Sequence, residues 1–196
     1  MASTDRIEPR KRPGQARSAE TVAVILEAAA RILEERGLGG YTTNAVAARA
    51  GVSIGSLYQY FPGKDALTAA LIERETAVLL SDIAAAREES DGRRALTRMI
   101  AAGVAHQMRR PALARLLDFE ERRLPMQASN GRVADRVCAA LAQVLGQRPD
   151  ADTAVPDVLA IIRGMVDDAG ERGETDPRPL ERRVARAVFG YLGWPG

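Results

Sequence analysis

The sequence predicts an all-α fold, and three observations support this prediction. Alanine and leucine, which are strong helix formers, are abundant along the chain of 196 residues. Aromatic residues, which favour strands, make up only 4% of it. No stretch shows the sustained alternation of apolar and polar residues that a half-buried strand requires. A chain of this length is also long enough to bury a substantial core.

The first predicted helix begins at Ser18, whose hydroxyl suits an N-cap, and it ends at the glycines 37, 39 and 40. Residues 1–17 before it contain more Arg and Lys than Asp and Glu, with two prolines. We predict that they form a disordered basic arm that follows DNA phosphates or enters a minor groove. A solvated tail without a function is the alternative. The formal net charge of the whole chain, +2, is only a weak indication of a nucleic-acid partner.

The stretch from Tyr41 to Lys64 predicts two short helices joined by a tight turn. Thr43 is the predicted N-cap of the first helix, and Gly51 suits the left-handed backbone of the turn. Ser53 is the predicted N-cap of the second helix, which Pro62 ends. Two helices in this arrangement make a helix-turn-helix, whose second helix can lie in the major groove of DNA.

The second helix carries side chains that suit DNA recognition. Leu57 and Phe61 are four residues apart and point inward, whereas a short helix cannot also bury residues 58–60. An ordinary helical hairpin, which is the alternative, does not account for those three. Glutamine can bond to adenine, tyrosine hydroxyls suit phosphate oxygens, and Lys64 at the start of the next helix suits a phosphate. The candidate DNA-binding residues are Thr42, Thr43, Asn44, Ser53, Ile54, Gly55, Ser56, Tyr58, Gln59, Tyr60 and Lys64.

The region from about Ser18 to Arg74 resembles the DNA-binding region of the TetR family of bacterial transcriptional regulators. The family pattern is a Thr pair, an Ala-Gly-Val-Ser turn, a Gly, Leu-Tyr-x-x-Phe and, after a short spacer, a Lys. Asn44 departs from the pattern, since many relatives carry a larger side chain there, and its contact is left open. The matching residues are Thr42-Thr43, Ala50-Gly51-Val52-Ser53, Gly55, Leu57-Tyr58-Gln59-Tyr60-Phe61 and Lys64.

One long helix is predicted from Asp65 to about Glu89, where Ser90-Asp91-Gly92 ends it. Its apolar residues Leu67, Leu71, Val78, Leu79 and Ile83 are predicted to face inward. The helix links the DNA-binding domain, residues 18–64, with a carboxy-terminal helical bundle, residues 65–196.

The rest of the chain predicts further helices. The last two carry apolar residues on more than one face, because Ile161 and Met165 are offset from Ile162 and Val166. The resemblance implies that these two helices form a four-helix dimer interface, and complete burial within one subunit is the alternative. The predicted helices are 93–110, one from Pro111, Val133–Leu145 ended by Gly146, Val155–Glu171, and one that Asp176 caps and Pro177 opens.

The sequence does not predict an enzyme, a metal site or a cofactor. His106 is the only histidine, so a histidine cluster or a Ser-His-Asp triad has little to build on. Asp167, Asp168 and Glu171 are interpreted as solvated charges at the end of a helix. Cys138 is the only cysteine, which excludes an intrachain disulfide. With no signal peptide and no apolar run of about 18 residues, a soluble cytoplasmic protein is expected.

Three hypotheses about function follow. The first is a dimeric repressor that binds a near-palindromic operator in double-stranded DNA and is released by a small apolar effector. The second is a DNA-binding regulator without a small-molecule ligand, which acts as an activator or answers to a protein partner. The third, which the missing catalytic groups disfavour, is an enzyme with an added helical domain. Candidate residues for an effector pocket, which equally describe a bundle core, are Met99, Gly103, His106, Leu113, Leu117 and Phe119.

Overall fold

The computed structural model describes residues 16–124, 133–146 and 148–194, and within these residues the only regular secondary structure is helical. The predicted all-α fold is therefore confirmed. Most of the predicted basic arm, residues 1–15, and the predicted connection around Pro125 and Gly131 lie outside the described residues. The helices are α1 (Ala16–Gly40), α2 (Thr43–Ala50), α3 (Ile54–Tyr60), α4 (Lys64–Arg87), α5 (Gly92–Arg109), α6 (Pro111–Arg123), α7 (Val133–Leu145), α8 (Ala151–Glu171) and α9 (Pro177–Tyr191).

The described chain divides into two compact units. The first unit contains residues 16–75 and 115–124, and the second contains residues 76–114, 133–146 and 148–194. Helices α4 and α6 therefore each contribute residues to both units. The sequence predicts domain boundaries after residues 17 and 64. These boundaries stay a prediction.

The core of the first unit is formed by the apolar stripe of α1 and by the inner faces of α2, α3 and α4. Leu57 and Phe61 are fully buried, which confirms that they point inward. Leu67 and Leu71 of α4 are buried as predicted. The other large buried residues of this core include Tyr41, Ile25, Ile32, Leu33 and Val46.

The second unit has its own core, built from α5, α7, α8, α9 and the second half of α4. Helix α5 packs against α8. A Cβ atom on Gly103 would lie 3.7 Å from the Ile162 side chain, and one on Gly170 would lie 3.5 Å from that of Pro111. The residues that fill this core include Leu96, Ile100, Val104, Leu141, Val158, Val166, Leu180, Val184 and Val188.

Most predicted helix ends agree with the structure. Pro111 and Pro177 are the first residues of their helices, and α7 ends directly before Gly146. The carboxylate of Asp176 accepts a hydrogen bond from the backbone N–H of Arg178 at 3.1 Å, so Asp176 is the N-cap of α9. Asp91 caps α5 in the same way.

Two predicted helix starts are wrong. Helix α1 already includes Ala16, because alanine and arginine before Ser18 are good helix formers, and Ser18 is not an N-cap. Helix α8 begins at Ala151 rather than at Val155, because the Asp150 carbonyl accepts hydrogen bonds from the first turn. Pro156 is tolerated inside α8, since it removes one backbone hydrogen bond close to the helix start and keeps a helical φ.

The predicted end of α1 is partly right. Gly37 adopts φ 59° and ψ −165°, which breaks the helical geometry where the glycines were predicted to end the helix. A further helical segment nevertheless continues from that kink to Gly40.

The inward orientation predicted for Val78 is wrong, since 55% of its surface is exposed. Its neighbour Leu79 is only 8% exposed, and Ile83 is also buried, as predicted. Consecutive residues on a helix point about 100° apart, so a stripe centred on Leu79 and Ile83 leaves Val78 at its edge. None of the described helices is both long and apolar enough to span a membrane.

The difference between Val78 and Leu79 gives a matched test of this packing. We expect Leu79→Ala to lower the free energy of unfolding by about 2–5 kcal/mol, because it leaves a cavity in the second unit. Val78→Ala should change it by less than about 0.5 kcal/mol, since the side chain is largely in water. Urea unfolding of both variants checks this, and equal losses would contradict the assignment of the buried face.

Candidate nucleic-acid interface

Helix α2 begins with a cap that differs by one residue from the prediction. The hydroxyl of Thr42, not of Thr43, accepts a hydrogen bond from the backbone N–H of Ala45 at 3.1 Å. An N-cap hydroxyl bonds the N–H two or three residues further on, and the helix itself starts at Thr43. Thr43 is therefore the first helical residue, and its side chain is available for another contact.

The turn between α2 and α3 depends on Gly51. This residue has φ 69° and ψ 25°, in the left-handed region that glycine adopts without strain, as predicted. The N–H groups of Gly51 and Val52 bond to the carbonyls of Ala48 and Ala47 at 3.3 and 3.1 Å, which closes the end of α2. The turn thus fixes the direction in which the chain enters α3.

Helix α3 begins at the predicted N-cap. The hydroxyl of Ser53 accepts a hydrogen bond from the backbone N–H of Ser56 at 3.0 Å and lies 2.8 Å from the Ser56 hydroxyl. The helix extends from Ile54 to Tyr60, with Phe61, directly before Pro62, as its C-cap. Both ends of this short helix are therefore held by local contacts.

A side-chain contact joins α2 to α3. The hydroxyls of Thr43 and Tyr58 lie 3.1 Å apart and share a hydrogen bond. The sequence analysis assigned each of them to DNA separately, whereas the structure pairs them. Each hydroxyl keeps further hydrogen-bonding capacity, so the pair orients both groups on one surface.

Most of the candidate DNA-binding residues are accessible. Of the central three, Tyr58 and Gln59 are exposed and Tyr60 is half-buried. The outward direction predicted for these side chains therefore agrees with the structure. Among the other candidates, Thr42, Asn44, Ser53, Ile54 and Gly55 are exposed, and Thr43, Ser56 and Lys64 are half-buried.

This surface is polar but carries almost no charge. Between residues 37 and 63 the only charged residue is Arg49. Its guanidinium donates two hydrogen bonds to the Glu35 carboxylate of α1, at 2.5 and 2.7 Å. This contact lowers the pKa of Glu35 and raises that of Arg49. The exposed groups of α2 and α3 are therefore mainly amides, hydroxyls and small apolar side chains.

Lys64, the first residue of α4, rests on a buried tyrosine that the sequence analysis missed. Its ammonium lies 4.9 Å from the centre of the Tyr41 ring, within the range of a cation–π contact. Tyr41 is 1% exposed, and its hydroxyl lies 3.1 Å from that of Thr68. An aromatic residue directly before the Thr pair was the available sequence signal.

The direction of this hydrogen-bond chain follows from its geometry. The Thr68 hydroxyl donates to the Lys64 carbonyl at 2.8 Å, so it accepts from the Tyr41 hydroxyl. Burial raises the pKa of Tyr41 to about 12, which keeps the hydroxyl protonated as the donor. Tyr41 thereby connects the start of α2 to the first turn of α4.

Gly55, near the start of α3, has no steric reason to be glycine within the part of the chain that the structure describes. A Cβ atom there would meet only the Ser53 hydroxyl oxygen, at 3.8 Å. Its φ is not in the left-handed region, unlike that of Gly51. The missing side chain therefore leaves open space on the exposed side of α3, where another molecule can come close to the backbone.

The candidate effector residues belong to both units. Met99, Gly103, His106 and Leu113 lie in the second unit, and Leu117 and Phe119 lie in the first. Met99, Leu113 and Leu117 are buried, and Gly103 and His106 are half-buried. Contact with an effector stays a prediction for them.

Phe119 departs from the expectation for a pocket residue, since 53% of its surface is exposed. It lies outside the buried stripe that Leu113 and Leu117 form along α6. Its contact with an effector stays a prediction.

The carboxylates that the sequence suggested as solvated charges do not assemble into a metal site. Asp168 forms an ion pair with Arg172, which also pairs with Glu174 at 2.7 Å. Within the part of the chain that the structure describes, no group of three His, Cys, Asp or Glu side chains is placed to hold a metal ion.

Comparison with known proteins gives one matching family model and several similar proteins. Residues 25–71 match the model described as bacterial regulatory proteins, tetR family. The chain is 31% identical over 151 residues to the nucleoid occlusion factor SlmA of Haemophilus influenzae. That match covers 74% of this chain and 66% of the relative, so the chain spans slightly less than two thirds of SlmA.

Solved structures share the fold over most of its length. A TetR-family transcriptional regulator from Streptomyces coelicolor is 27% identical, with a TM-score of 0.65 over 88% of this chain and 98% of that one. A TetR-like transcriptional regulator from Rhodococcus sp. RHA1 is 22% identical, with a TM-score of 0.71 over 89% and 97% of the two chains. At 22% identity, the comparison with the Rhodococcus protein shows only that the two folds are similar.

The two glycines of this surface predict opposite effects on stability. Gly51→Ala should lower the free energy of unfolding by about 1 kcal/mol, because alanine is strained at a positive φ. Gly55→Ala should raise it by about 0.5 kcal/mol, since a helical position with open space around it favours alanine. Urea unfolding measures both changes. A loss of stability in Gly55→Ala would contradict the absence of a steric reason for this glycine.

Proposed function

This chain belongs to the TetR family of bacterial regulatory proteins, and from that premise we propose that it is a sequence-specific DNA-binding transcriptional regulator. The observation that carries the proposal is the exposed polar face of α3 on a rigid support. Caps, the Gly51 turn and the Thr43–Tyr58 contact hold this helix, while Gln59 and the open space at Gly55 stay accessible. These are the features that a major-groove recognition helix needs.

The proposed division of contacts follows from the chemistry of the surface. Gln59 is the side chain of α3 that can make two hydrogen bonds to adenine, and the exposed Ile54 suits the methyl group of thymine. Hydroxyls and the Lys64 ammonium bond phosphate oxygens, together with free backbone N–H groups at the start of α4. Because α2 and α3 are nearly neutral, residues 1–17 are the natural source of additional phosphate contacts.

We further propose that the protein acts as a homodimer on a near-palindromic operator. One recognition helix per chain requires two chains to contact two half-sites. Helices α8 and α9 support this proposal, since Ile161 and Met165 are only partly buried within the chain and Tyr191 is exposed. These side chains are available to pack against a second copy. Because the operator lies in bacterial DNA, the site of action is the cytoplasm.

A small, mostly apolar effector that releases a repressor from its operator is the form of regulation we propose. Met99 and Leu113 are apolar residues that are buried in the second unit. Helices α4 and α6 each contribute residues to both units. A change in the second unit can therefore reach the recognition helix through the backbone of these helices.

Replacement of Gln59 tests direct recognition of a base. Gln59→Ala should relax the preference at one position of each half-site by about 1–3 kcal/mol, because two hydrogen bonds to one base edge are lost. Binding titrations against duplexes that differ at single positions measure this. An equal loss of affinity for all duplexes would show that Gln59 does not contact a base, and a wild-type protein that binds no duplex would overturn the proposed function.

Replacement of Lys64 tests the phosphate contact. Lys64→Ala should weaken binding to all duplexes by a similar factor and lower the dependence of log affinity on log salt concentration by about one per subunit. Titrations from low to high salt measure the slope. Arg148→Ala in the second unit is the control and should leave the slope unchanged. An unchanged slope in Lys64→Ala would remove Lys64 from the phosphate contacts.

The proposed effector predicts a reciprocal linkage. A compound that raises the melting temperature of the protein should bind more weakly in the presence of operator DNA, by a coupling free energy of about 1–3 kcal/mol. Isothermal titration with and without operator measures both affinities. Equal affinities would support a regulator that does not respond to that compound.

A further inference from the structure

The last turn of α6 contacts the first turn of α4 inside the first unit. The Arg123 guanidinium donates a hydrogen bond to the Asp65 carboxylate at 2.6 Å. Asp65 directly follows Lys64, and 58 positions separate it from Arg123 in the sequence. Residues from a distant part of the chain therefore lie against the start of the helix that carries the proposed phosphate contact.

Arg123 is itself held by a buried carboxylate. Its guanidinium donates to Glu120 at 2.8 and 3.1 Å, and Glu120 is only 3% exposed. These two hydrogen-bonded acids raise the pKa of Arg123 further above its ordinary value, so the cation is present at any pH of interest. A guanidinium that is hydrogen-bonded to a buried carboxylate has little conformational freedom, whereas two long exposed side chains in an ion pair stay mobile.

Asp65, the partner of Arg123, lies in the first turn of α4, and anion binding depends on the orientation of this turn. The first N–H groups of a helix lack intrahelical partners, and they bind an anion only if their direction is set. The Tyr41–Thr68 contact holds Lys64 from one side through the ring and the Lys64 carbonyl. The Arg123–Asp65 pair holds the adjacent residue of the same turn.

We propose that Arg123, anchored on Glu120, is a positioning residue that orients the first turn of α4 through Asp65, so that Lys64 and the neighbouring N–H groups meet a DNA phosphate. This inference rests on the proposed function and adds the last turn of α6 to the DNA-binding apparatus. It also explains an acid beside a phosphate site. A negative charge there repels DNA, and the contact of Asp65 with Arg123 offsets this cost together with the positive end of the helix.

The variant Asp65→Asn separates positioning from simple charge repulsion, because the two predict opposite results. If Asp65 only repels DNA, its neutralisation strengthens binding. If Asp65 orients Lys64, its neutralisation weakens binding by up to about five-fold per subunit at 0.15 M salt. This is the factor by which one phosphate contact with a salt slope of about 0.9 raises the affinity at that salt concentration, relative to 1 M salt. The salt slope should also fall by about one per subunit.

Three further variants complete the test. Asp65→Glu keeps the carboxylate and should retain most of the wild-type slope. Asp152→Asn removes an acid from the first turn of α8 in the second unit and controls for the general effect of such an acid on a helix. It should leave binding unchanged. Arg123→Lys keeps a cation on Glu120 while losing the two-sided contact, so it should behave like Asp65→Asn without leaving a buried acid unpaired.

Hydrogen exchange in the absence of DNA tests the anchoring independently of the proposed function. In Asp65→Asn the amides of Leu67 and Thr68, which belong to the first bonded turn of α4, should exchange faster than in the wild type. Unchanged exchange, or binding that is unchanged or tighter, overturns the positioning role. If no duplex binds to the wild type, the proposed function fails and the phosphate role fails with it, while faster exchange still assigns Asp65 as the anchor of α4.

Discussion

The left-handed turn at Gly51 is the constraint on which the DNA-binding surface depends. It ends α2, closes two backbone hydrogen bonds and sets the direction of α3. Glycine takes this left-handed conformation with less strain than any other residue type. The contact between Thr43 and Tyr58 and the burial of Leu57 and Phe61 then fix the rotation of α3 about its own axis. A helix of only seven residues is too short to be stable alone, so its orientation comes entirely from these neighbours.

The distribution of charge explains how such a surface combines specificity with affinity. Helices α2 and α3 present hydrogen-bonding groups without a strong field, because Arg49 is paired with Glu35. In the proposed interface, the charge that meets phosphates comes from Lys64 at the start of α4 and from the basic amino-terminal residues of the sequence. Contacts that distinguish bases are thereby separated from contacts that only hold the duplex.

Sequence patterns predicted the features that depend on neighbouring residues. Gly51, Ser53, Pro111 and Asp176 acted as expected, because caps and turns are determined within a few positions. The N-caps predicted at Thr43 and Ser18 were wrong by only one or two residues, and they were inferred from the same kind of local pattern. Val78 was misplaced because an apolar residue at the edge of a stripe is buried or exposed according to neighbours from other helices.

The features that the sequence could not predict depend on contacts between distant parts of the chain. Arg123 and Asp65 look like ordinary surface charges in the sequence, and only the fold brings them together. The same holds for Tyr41, which lies between α1 and α2 and whose hydroxyl partner is Thr68 in α4. Residues 115–124 belong to the first unit, although they follow the helix-turn-helix by about a quarter of the chain.

The central claim is that α3 is the recognition helix of a dimeric DNA-binding protein, and selection from random duplexes tests it most directly. Duplexes retained by the purified protein at 0.15 M salt are sequenced after several rounds. The account predicts an enriched inverted repeat with two equivalent half-sites, and the loss of one conserved position per half-site when the selection is repeated with Gln59→Ala. Retained duplexes without a shared sequence, or the same conserved positions with both proteins, would contradict it.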